Sequence, residues 1–305
     1  VISINLPTFQ ASQAAKLNGS RFNIVPRGGQ PGGPGYDYYV SKFEITQEQC
    51  RRFLNSAQAS PKDARGEFMT FDRHGDVWIH PDRKRGRDEL FSIMNSRLTY
   101  DPAQPAGSRY DHQRAPDKSA PFASHPISGI SWYGAVKYCN WLTIESGRSP
   151  AECCYHEGTN ALDWAPVAAT NWARGDFSEA ERARWLSTKG FRLPMVNCNA
   201  PRVTTNAFNE FYKAGAWNFF TNQLYGFGRN GFDGTDANCR QTIGVKKPAS
   251  MPVGYFNGDS AIGKIRTRAN ANVYGLFDLT GNADEWMNDF ATRGDPAARL
   301  VCGGS

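Results

Sequence analysis

The sequence lacks several features that would place it in a familiar class of proteins. It has no apolar run of the roughly 20 residues that a membrane-spanning helix needs, so we expect no membrane span. It has no GxSxG, P-loop or Rossmann fingerprint in a suitable context, which removes the sequence signals of the enzymes that use them. It also has no internal repeat and no low-complexity tract, which argues against a solenoid or a disordered chain.

A strong charge of one sign is also missing. The formal net charge of +6 comes from interspersed signs among 35 basic and 29 acidic residues. The densest basic run, "DRKRGRDE" at residues 82–89, is balanced by its own acidic residues. A solvated loop explains such a run better than a nucleic-acid patch, and we therefore predict no nucleic-acid partner.

Metal-binding spacings are absent as well. The seven cysteines form no CxxC pair, and the five histidines form no HxxxH pair. Two clusters still have to be considered as metal sites: Cys153, Cys154 and His156, and, if a long loop brings them together, His74, His80 and His112. The more common roles are buried thiols or one or two disulfides for the cysteines, and solvated loop positions for the histidines.

The composition is that of a globular, loop-rich protein. The 305 residues are 40% hydrophobic and 13% aromatic, which is enough for a substantial core in one large domain or two small ones. The 30 glycines and 18 prolines argue against a helical bundle. The sequence begins "VISINLPTFQ", without Met and without a signal-peptide core, which we interpret as a processed product of an exported protein.

The first ordered landmark is "YVSKFEITQEQCRRFLN". Residues 42–45 alternate in polarity, as on a half-buried strand, and this pattern places Glu44 on the polar face. Thr46 then fits a helix N-cap, and Gln49, three residues later, completes a capping box.

Three further helices are predicted from capping signals and helical spacing. The first begins after Ser131 and ends at Gly147. The second begins after Ser178, with Glu181 in its capping box, and ends at Gly190. The third lies in "NAFNEFYKAGAW" at residues 206–217. The aromatic residues Trp132, Tyr133, Tyr138 and Trp141 are predicted to be core residues, because they recur at helical spacing.

Residues 56–125 form a long polar segment rich in Pro, Asp and Arg, with one short strand predicted in "GDVWIH". A segment of this length inside a compact domain is unusual and is often functional. Together with the predicted helices and short extended pieces, it indicates an α+β, loop-rich fold.

Four motifs then stand in a recognisable order: "YVSKFEITQEQCRRFLN", "HPISGISWYGAVKYCNWL", "GFRLP" followed by "EFYKAG", and "YGLFDLTGNADEWMNDF" ending in "RLVCGGS". This order resembles the formylglycine-generating-enzyme family, also called the sulfatase-modifying-factor family. The resemblance covers residue 36 to the end and implies a variant of the C-type-lectin fold. It implies one domain over 1–305, with an N-terminal extension at 1–35 and an insert at 56–125. It also implies that Arg192 is a structural ion-pair residue at the edge of the core.

The sequence departs from the family pattern at two places. "MVNCNAPRVTTNAF" is inserted between Pro194 and Asn209, which predicts a surface loop. In formylglycine-generating enzymes the two copper-binding cysteines follow a glycine pair, here Gly303-Gly304, where this sequence stops. Cys302 is not in register with either cysteine, so the resemblance implies that this chain supplies no copper or iron site.

The second departure, at the C-terminal end, also leads to a prediction about binding partners. The resemblance implies that the last strands of the fold are missing from this sequence. We expect the sheet edge left unpaired at the C-terminal end to bind a partner protein or a second copy.

In relatives the last motif wraps a calcium ion. Carried over by position, the ligands would be the side chains of Asp278 and Glu285 and the backbone carbonyls of Gly281 and Ala283. Such a set of hard oxygen donors suits calcium. The alternative is that both carboxylates only cap backbone N–H groups. A second calcium site is matched only in its first half, at Asn238 and Cys239.

Two functions follow from the resemblance. The first is an exported, non-catalytic binding or structural module, stabilised by calcium. The second is an oxidoreductase that acts on a peptide or small molecule, since some relatives act without the cysteine pair. Fold alone does not decide between them. Metal content separates the two, because calcium alone favours the module, whereas copper or iron favours the enzyme.

Overall fold

The computed structural model describes most of the chain. The described residues are 18–79, 88–114, 122–196, 207–240, 242, 250–290 and 298–304, together with the backbone of 3–4. Two residues of the candidate metal and thiol sets, His80 and Cys198, lie outside these ranges, as does most of the insertion predicted after Pro194.

Helices are few and strands are short in the described residues. The α-helices are Gln47–Ala59 (α1), Trp132–Glu145 (α2), Glu179–Trp185 (α3) and Glu210–Ala216 (α4). The strands are Ser3–Ile4 (β1), Phe22–Val25 (β2), Tyr38–Ser41 (β3), Thr70–Phe71 (β4), Val77–Trp78 (β5), Glu89–Phe91 (β6), Leu98–Tyr100 (β7), Tyr110–His112 (β8), Tyr155–His156 (β9), Ala165–Pro166 (β10), Ala261–Ile262 (β11), Ile265–Arg266 (β12), Gly281–Phe290 (β13) and Arg299–Gly304 (β14). None of the described helices is long and apolar enough to cross a membrane.

Helix α1 begins as the sequence predicts. The Thr46 hydroxyl accepts a hydrogen bond from the Gln49 N–H, and the Gln49 side chain accepts one from the Thr46 N–H, which completes the capping box. The strand before it was predicted in the wrong place, because β3 ends at Ser41. Glu44 is therefore not on a polar strand face, and it is 5% exposed.

Helix α2 also follows its prediction. The Ser131 hydroxyl accepts a hydrogen bond from the Gly134 N–H, which satisfies an otherwise unpaired donor of the first turn. Val136, Cys139 and Leu142 form its fully buried face. The helix ends just before Gly147, whose φ of +85° suits a glycine.

The two later helices are shorter than predicted. Helix α3 has the predicted Ser178–Glu181 capping box but ends at Trp185, so the prediction that Gly190 ends it is wrong. Gly190 instead lies against the carbonyl oxygen of Glu152, where a Cβ atom would overlap. Helix α4 spans two turns after its N-cap, Asn209.

Glu181 leads to a prediction about stability in acid. Burial raises its pKa, but hydrogen bonds from Thr170 and Ser178 outweigh burial and lower the pKa from 4.5 to about 2. A carboxyl whose pKa is lowered by folding stabilises the fold above its unfolded pKa, and this contribution is lost as the pH falls through the folded pKa. As the pH is lowered from 4.5 to about 2, we expect the free energy of unfolding of the parent protein to decrease. The decrease should be smaller in Glu181→Gln. Urea denaturation across this range measures both proteins, and equal acid losses would contradict the prediction.

The segment 56–125 is more ordered than a polar loop. It contains the end of α1 and strands β4–β8, including the predicted strand at Val77–Trp78. The side chains of Leu90, Phe91 and Tyr110 are buried in the same core as α1 and α2. Each of these short strands buries only a few apolar side chains. The composition of the segment therefore resembles that of a loop.

The strands form small antiparallel sheets around two hydrophobic clusters. Strands β1, β3 and β2 form one sheet, which brings the N-terminal residues into the fold. The larger cluster contains α1, α2 and the aromatic residues predicted as core, and the smaller one lies between β2, β3, α4 and the chain before β13. Strands β13 and β14 form a two-stranded sheet at the edge of the larger cluster.

Candidate functional site

The loop that opens β13 has an unusual backbone. Asp278, Gly281 and Asn282 all have positive φ angles, of 58°, 89° and 66°. Residues other than glycine adopt this region at a cost of about 1–3 kcal/mol and do so where surrounding contacts hold them. The carbonyl oxygen of Asn238 supplies such a contact, because it accepts a hydrogen bond from the Asn282 N–H at 2.8 Å.

The Asp278 carboxylate is buried and hydrogen-bonded. It accepts hydrogen bonds from the Gly254 N–H at 2.5 Å and from the Asn270 side-chain amide at 3.2 Å. Asp278 thus caps one backbone N–H group, but that group is 24 positions away and not local. Each carboxylate oxygen has two lone pairs, so these bonds leave acceptor capacity for a cation.

Glu44 reaches the same loop from the chain before α1. Its carboxylate accepts hydrogen bonds from the Ala283 N–H at 2.9 Å and from the Asn282 side-chain amide at 2.6 Å. The sequence pattern does not indicate this residue, because polarity alternation places it on a solvent face. No local signal in the sequence identifies it, because the contact joins residues 239 positions apart.

Glu285 is the most unusual residue of the site. It is 2% exposed, and neither of its carboxylate oxygens has a hydrogen-bond partner in the described part of the chain. Its carboxylate lies over Gly303 of β14, where a Cβ atom would overlap it. A buried carboxylate without a partner is unfavourable, so this side chain suits a site completed by a cation.

The three carboxyl groups influence one another. Burial raises the pKa of Glu44, and the charges of Asp278 and Glu285 raise it further. Burial also raises the pKa of Glu285 and of Asp278, although hydrogen bonds to Asp278 oppose the increase there. Buried acidic groups with raised pKa values in one region are stabilised in their charged form by a nearby cation.

A cavity of about 290 Å³ adjoins these residues. Glu44, Asp284 and Glu285 contribute its acidic wall, and most of the remaining wall is apolar. Tyr138 of α2 lies on the apolar side, and Val301 of β14 is at the rim with 41% of its surface exposed. The cavity therefore combines negative charge with apolar surface, next to strand β14.

The structure brings the predicted second calcium segment to the same loop. The Asn238 side chain donates a hydrogen bond to the Asn282 side chain at 3.1 Å. The Cys239 N–H donates to the Thr242 hydroxyl at 2.6 Å. Asn238 thus helps to hold the loop that opens β13.

The histidines have separate local partners. Nε2 of His74 accepts a hydrogen bond from the Arg73 side chain, and Nε2 of His112 lies 2.7 Å from the Glu48 carboxylate. His125 contacts the Ser250 hydroxyl and the Phe122 ring. In the described ranges, no three His, Cys, Asp or Glu side chains are grouped to hold a metal ion.

The candidate cluster at Cys153 is divided by burial. Cys154 is fully buried, whereas His156 is exposed on β9. Cys50, Cys139, Cys153 and Cys154 are thiols and not disulfides. Burial raises the pKa of Cys153 and of Cys154 to about 12, so neither thiol is activated as a nucleophile.

Arg192 lies deeper than the core-edge position predicted for it. Both Arg192 and Glu210 are fully buried, and two hydrogen bonds of 2.6 Å join the guanidinium to the carboxylate. The Tyr36 hydroxyl and the Met195 N–H also donate to this carboxylate. The ion pair that the resemblance implied is therefore present, at the centre of a buried polar network.

The short strands, few helices and long loops define a loop-rich α+β protein with a carboxylate site beside its last described strands. The profile of the sulfatase-modifying factor enzyme 1-like domain matches residues 35–305, and the chain belongs to this family. The predicted family and α+β fold are thus confirmed. The relation to C-type lectins and the single domain over 1–305 stay predictions.

No curated protein matches the sequence. The crystal structure of CarF matches at 19% identity over 88% of this chain and 76% of that chain, with a TM-score of 0.44.

Proposed function

We propose that this protein is an exported, non-catalytic binding module on a scaffold of the sulfatase-modifying-factor family, stabilised by calcium. The observation that carries the proposal is Glu285, a buried carboxylate without a hydrogen-bond partner among the described residues, beside a cavity with acidic and apolar walls. A cation would stabilise the charged form of this carboxyl group, whose pKa burial otherwise raises, and a cavity of this kind can hold a ligand.

The donor chemistry of these residues suits calcium, although the described residues contain no group of three His, Cys, Asp or Glu side chains placed to hold a metal ion. Asp278 and Glu285 would hold it with their side chains, and Gly281 and Ala283 with their backbone carbonyls. All four donors are oxygen atoms, which calcium prefers. The Glu285 oxygens have no hydrogen-bond partner among the described residues and can therefore bind a cation. Bound there, calcium would supply positive charge and hold the strained turn between two buried carboxylates.

Calcium is therefore expected to stabilise the folded protein. A ligand that binds only the folded state adds about 2.7 kcal/mol at a concentration of about 100 times its dissociation constant. Thermal unfolding, followed by circular dichroism in EGTA and in calcium, measures this gain. We expect Glu285→Gln to lose most of the gain, because an amide is a weaker calcium ligand than a carboxylate.

The matched control is Glu179→Gln, which removes an exposed carboxylate from α3. It should keep the full calcium response. In EGTA, Glu285→Gln should be at least as stable as the parent protein, because it removes a buried charge without a partner. An unchanged melting temperature on adding calcium to the parent protein would refute the calcium part of the proposal.

The state of the thiols argues against one form of the oxidoreductase alternative, an enzyme that uses one of these cysteines as its nucleophile. Catalytic cysteines act as thiolates, with pKa values lowered by nearby positive charge. Burial raises the pKa of Cys50, Cys139, Cys153 and Cys154 instead. These four cysteines are therefore suited to packing and not to copper or sulfur chemistry.

The edge of β14 is the proposed place for a protein partner or self-association. Strand β14 pairs with β13 on one side, and no other described strand pairs with it. Free strand edges bind extended segments through main-chain hydrogen bonds. Export would suit this function, since extracellular calcium saturates modules with dissociation constants of about 10⁻⁴–10⁻³ M.

A further inference from the structure

We infer that one end of the molecule binds the surface of a lipid membrane, with the apolar side chains of a rigid turn inserted among the lipids. The turn comprises residues 218–221 and joins Trp217 to Asn222, which form an isolated antiparallel bridge. The inference goes beyond the proposed function and does not depend on calcium. Three features carry it: exposed apolar surface, a rigid backbone and the distribution of charge.

Large apolar side chains are exposed on the turn and next to it. Phe220 is 88% exposed and Leu224 is 78% exposed, while Phe219 is about half exposed. Val273, which precedes the Tyr274 ring that packs against Phe219, is also exposed. The side chains of Phe219, Phe220, Leu224 and Val273 are called the apolar patch below. Single exposed apolar residues are common on protein surfaces, but a group of them marks a site that binds a partner or a membrane.

The backbone of the turn holds the apolar patch in place. The Asn218 side chain accepts a hydrogen bond from the Phe220 N–H at 3.1 Å and another from the Thr221 N–H at 2.8 Å. Phe219 has a φ of +76°, which residues other than glycine adopt where surrounding contacts hold them. Because the turn is already ordered, little conformational entropy is lost when its side chains are inserted.

Three segments of the chain meet at the patch. The Gln30 side chain donates a hydrogen bond to the Asn222 side chain at 2.9 Å, and the Asn272 side chain donates one to the Ala214 carbonyl oxygen at 2.6 Å. The chain before β3 and the chain before β13 are thus joined to the segment that contains the turn. This end of the molecule is therefore one continuous surface.

This surface contains basic residues but no acidic ones. Residues 26–36, 211–232 and 269–277 include one lysine and two arginines, and no Asp or Glu. Arg27 is exposed, and its ion pair with Asp37 is open to solvent. Anionic lipid headgroups attract basic residues, and no carboxylate of these segments has to lose its water when the patch is inserted. Since the side chains project from the surface, a fluid apolar phase accommodates them without a matching pocket.

Sedimentation of the full chain with sucrose-loaded vesicles tests the inference. The vesicles contain phosphatidylcholine and phosphatidylglycerol at about three to one, and the bound fraction is measured against lipid concentration. We expect the parent protein to sediment with these vesicles, and to bind more weakly to vesicles of phosphatidylcholine alone. The double variant Phe220→Ser with Leu224→Ser should lower the partition coefficient at least about tenfold, since two apolar side chains no longer leave water.

The matched control is the double variant Met94→Ser with Leu162→Ser. It also removes two exposed apolar side chains, but both lie outside the three segments. It should keep the partition coefficient of the parent protein. Circular dichroism confirms that both double variants are folded.

A parent protein that does not sediment with the vesicles, or equal partition coefficients for the two double variants, would overturn the inference. Analytical ultracentrifugation tests the alternative occupant. Self-association of the parent protein that Phe220→Ser with Leu224→Ser abolishes, in the absence of vesicle binding, would overturn the inference and assign the patch to a second copy of the chain.

Discussion

Replacing Glu210 with alanine is expected to destabilise the protein by about 3–5 kcal/mol. The substitution leaves the fully buried Arg192 guanidinium without its carboxylate partner, at a site that water does not reach. It also removes the acceptor of hydrogen bonds from the Tyr36 hydroxyl and the Met195 N–H. Urea denaturation of the parent protein and of Glu210→Ala measures the loss directly.

A double variant separates the effect of an unpaired buried charge from the effect of lost packing. In Arg192→Met with Glu210→Leu, both charges are replaced by apolar groups, so no buried charge is left alone. Such replacements are often neutral or stabilising for a simple pair. Here we expect only partial recovery relative to Glu210→Ala, because Tyr36 and Met195 still lose their acceptor. A Glu210→Ala variant as stable as the parent protein would show that the pair contributes little.

Replacing Gly303 with alanine is expected to disrupt the carboxylate site. The φ angle of Gly303 is +80°, and a Cβ atom there would overlap the Glu285 carboxylate. The backbone conformation alone costs a residue other than glycine about 1–3 kcal/mol, and displacement of a buried side chain adds to this. We expect a large loss of stability and a lost calcium response, both measured by thermal unfolding in EGTA and in calcium.

Gly147→Ala is the matched control for backbone strain. Gly147 has a φ of +85°, but no neighbouring atom lies within 4 Å of the position of an added Cβ. Gly303→Ala should therefore lower the free energy of unfolding more than Gly147→Ala does. Adding Glu285→Ala to Gly303→Ala should remove most of the difference, since the overlapping side chain is then gone. Equal losses in the two single variants would refute the close packing of Glu285 on Gly303.

Local signals predicted the starts of the helices well. The Thr46–Gln49 and Ser178–Glu181 capping boxes each join residues three positions apart, so one short stretch of sequence contains the whole interaction. The end of α3 was missed because it depends on tertiary packing. Gly190 is a glycine because the Glu152 carbonyl lies against it, and not because it ends the helix.

The candidate site could be predicted only in part. The last motif indicated Asp278 and Glu285 through its resemblance to a family, and the structure places both in one buried region. Glu44 was missed, because its hydrogen bond to Ala283 joins residues 239 positions apart. Nothing local in the sequence shows such a contact. The depth of Arg192 was missed for the same reason, since burial arises from the packing of distant segments.

The proposal that buried carboxylates hold calcium in a binding protein depends on which metal the purified chain takes up. Equilibrium dialysis of the purified protein against calcium, copper and iron, followed by elemental analysis, tests it most directly. We predict about one calcium ion per chain, lost in Glu285→Gln, and no near-stoichiometric copper or iron. Copper or iron bound at near one equivalent, with calcium absent, would refute calcium binding and favour an oxidoreductase.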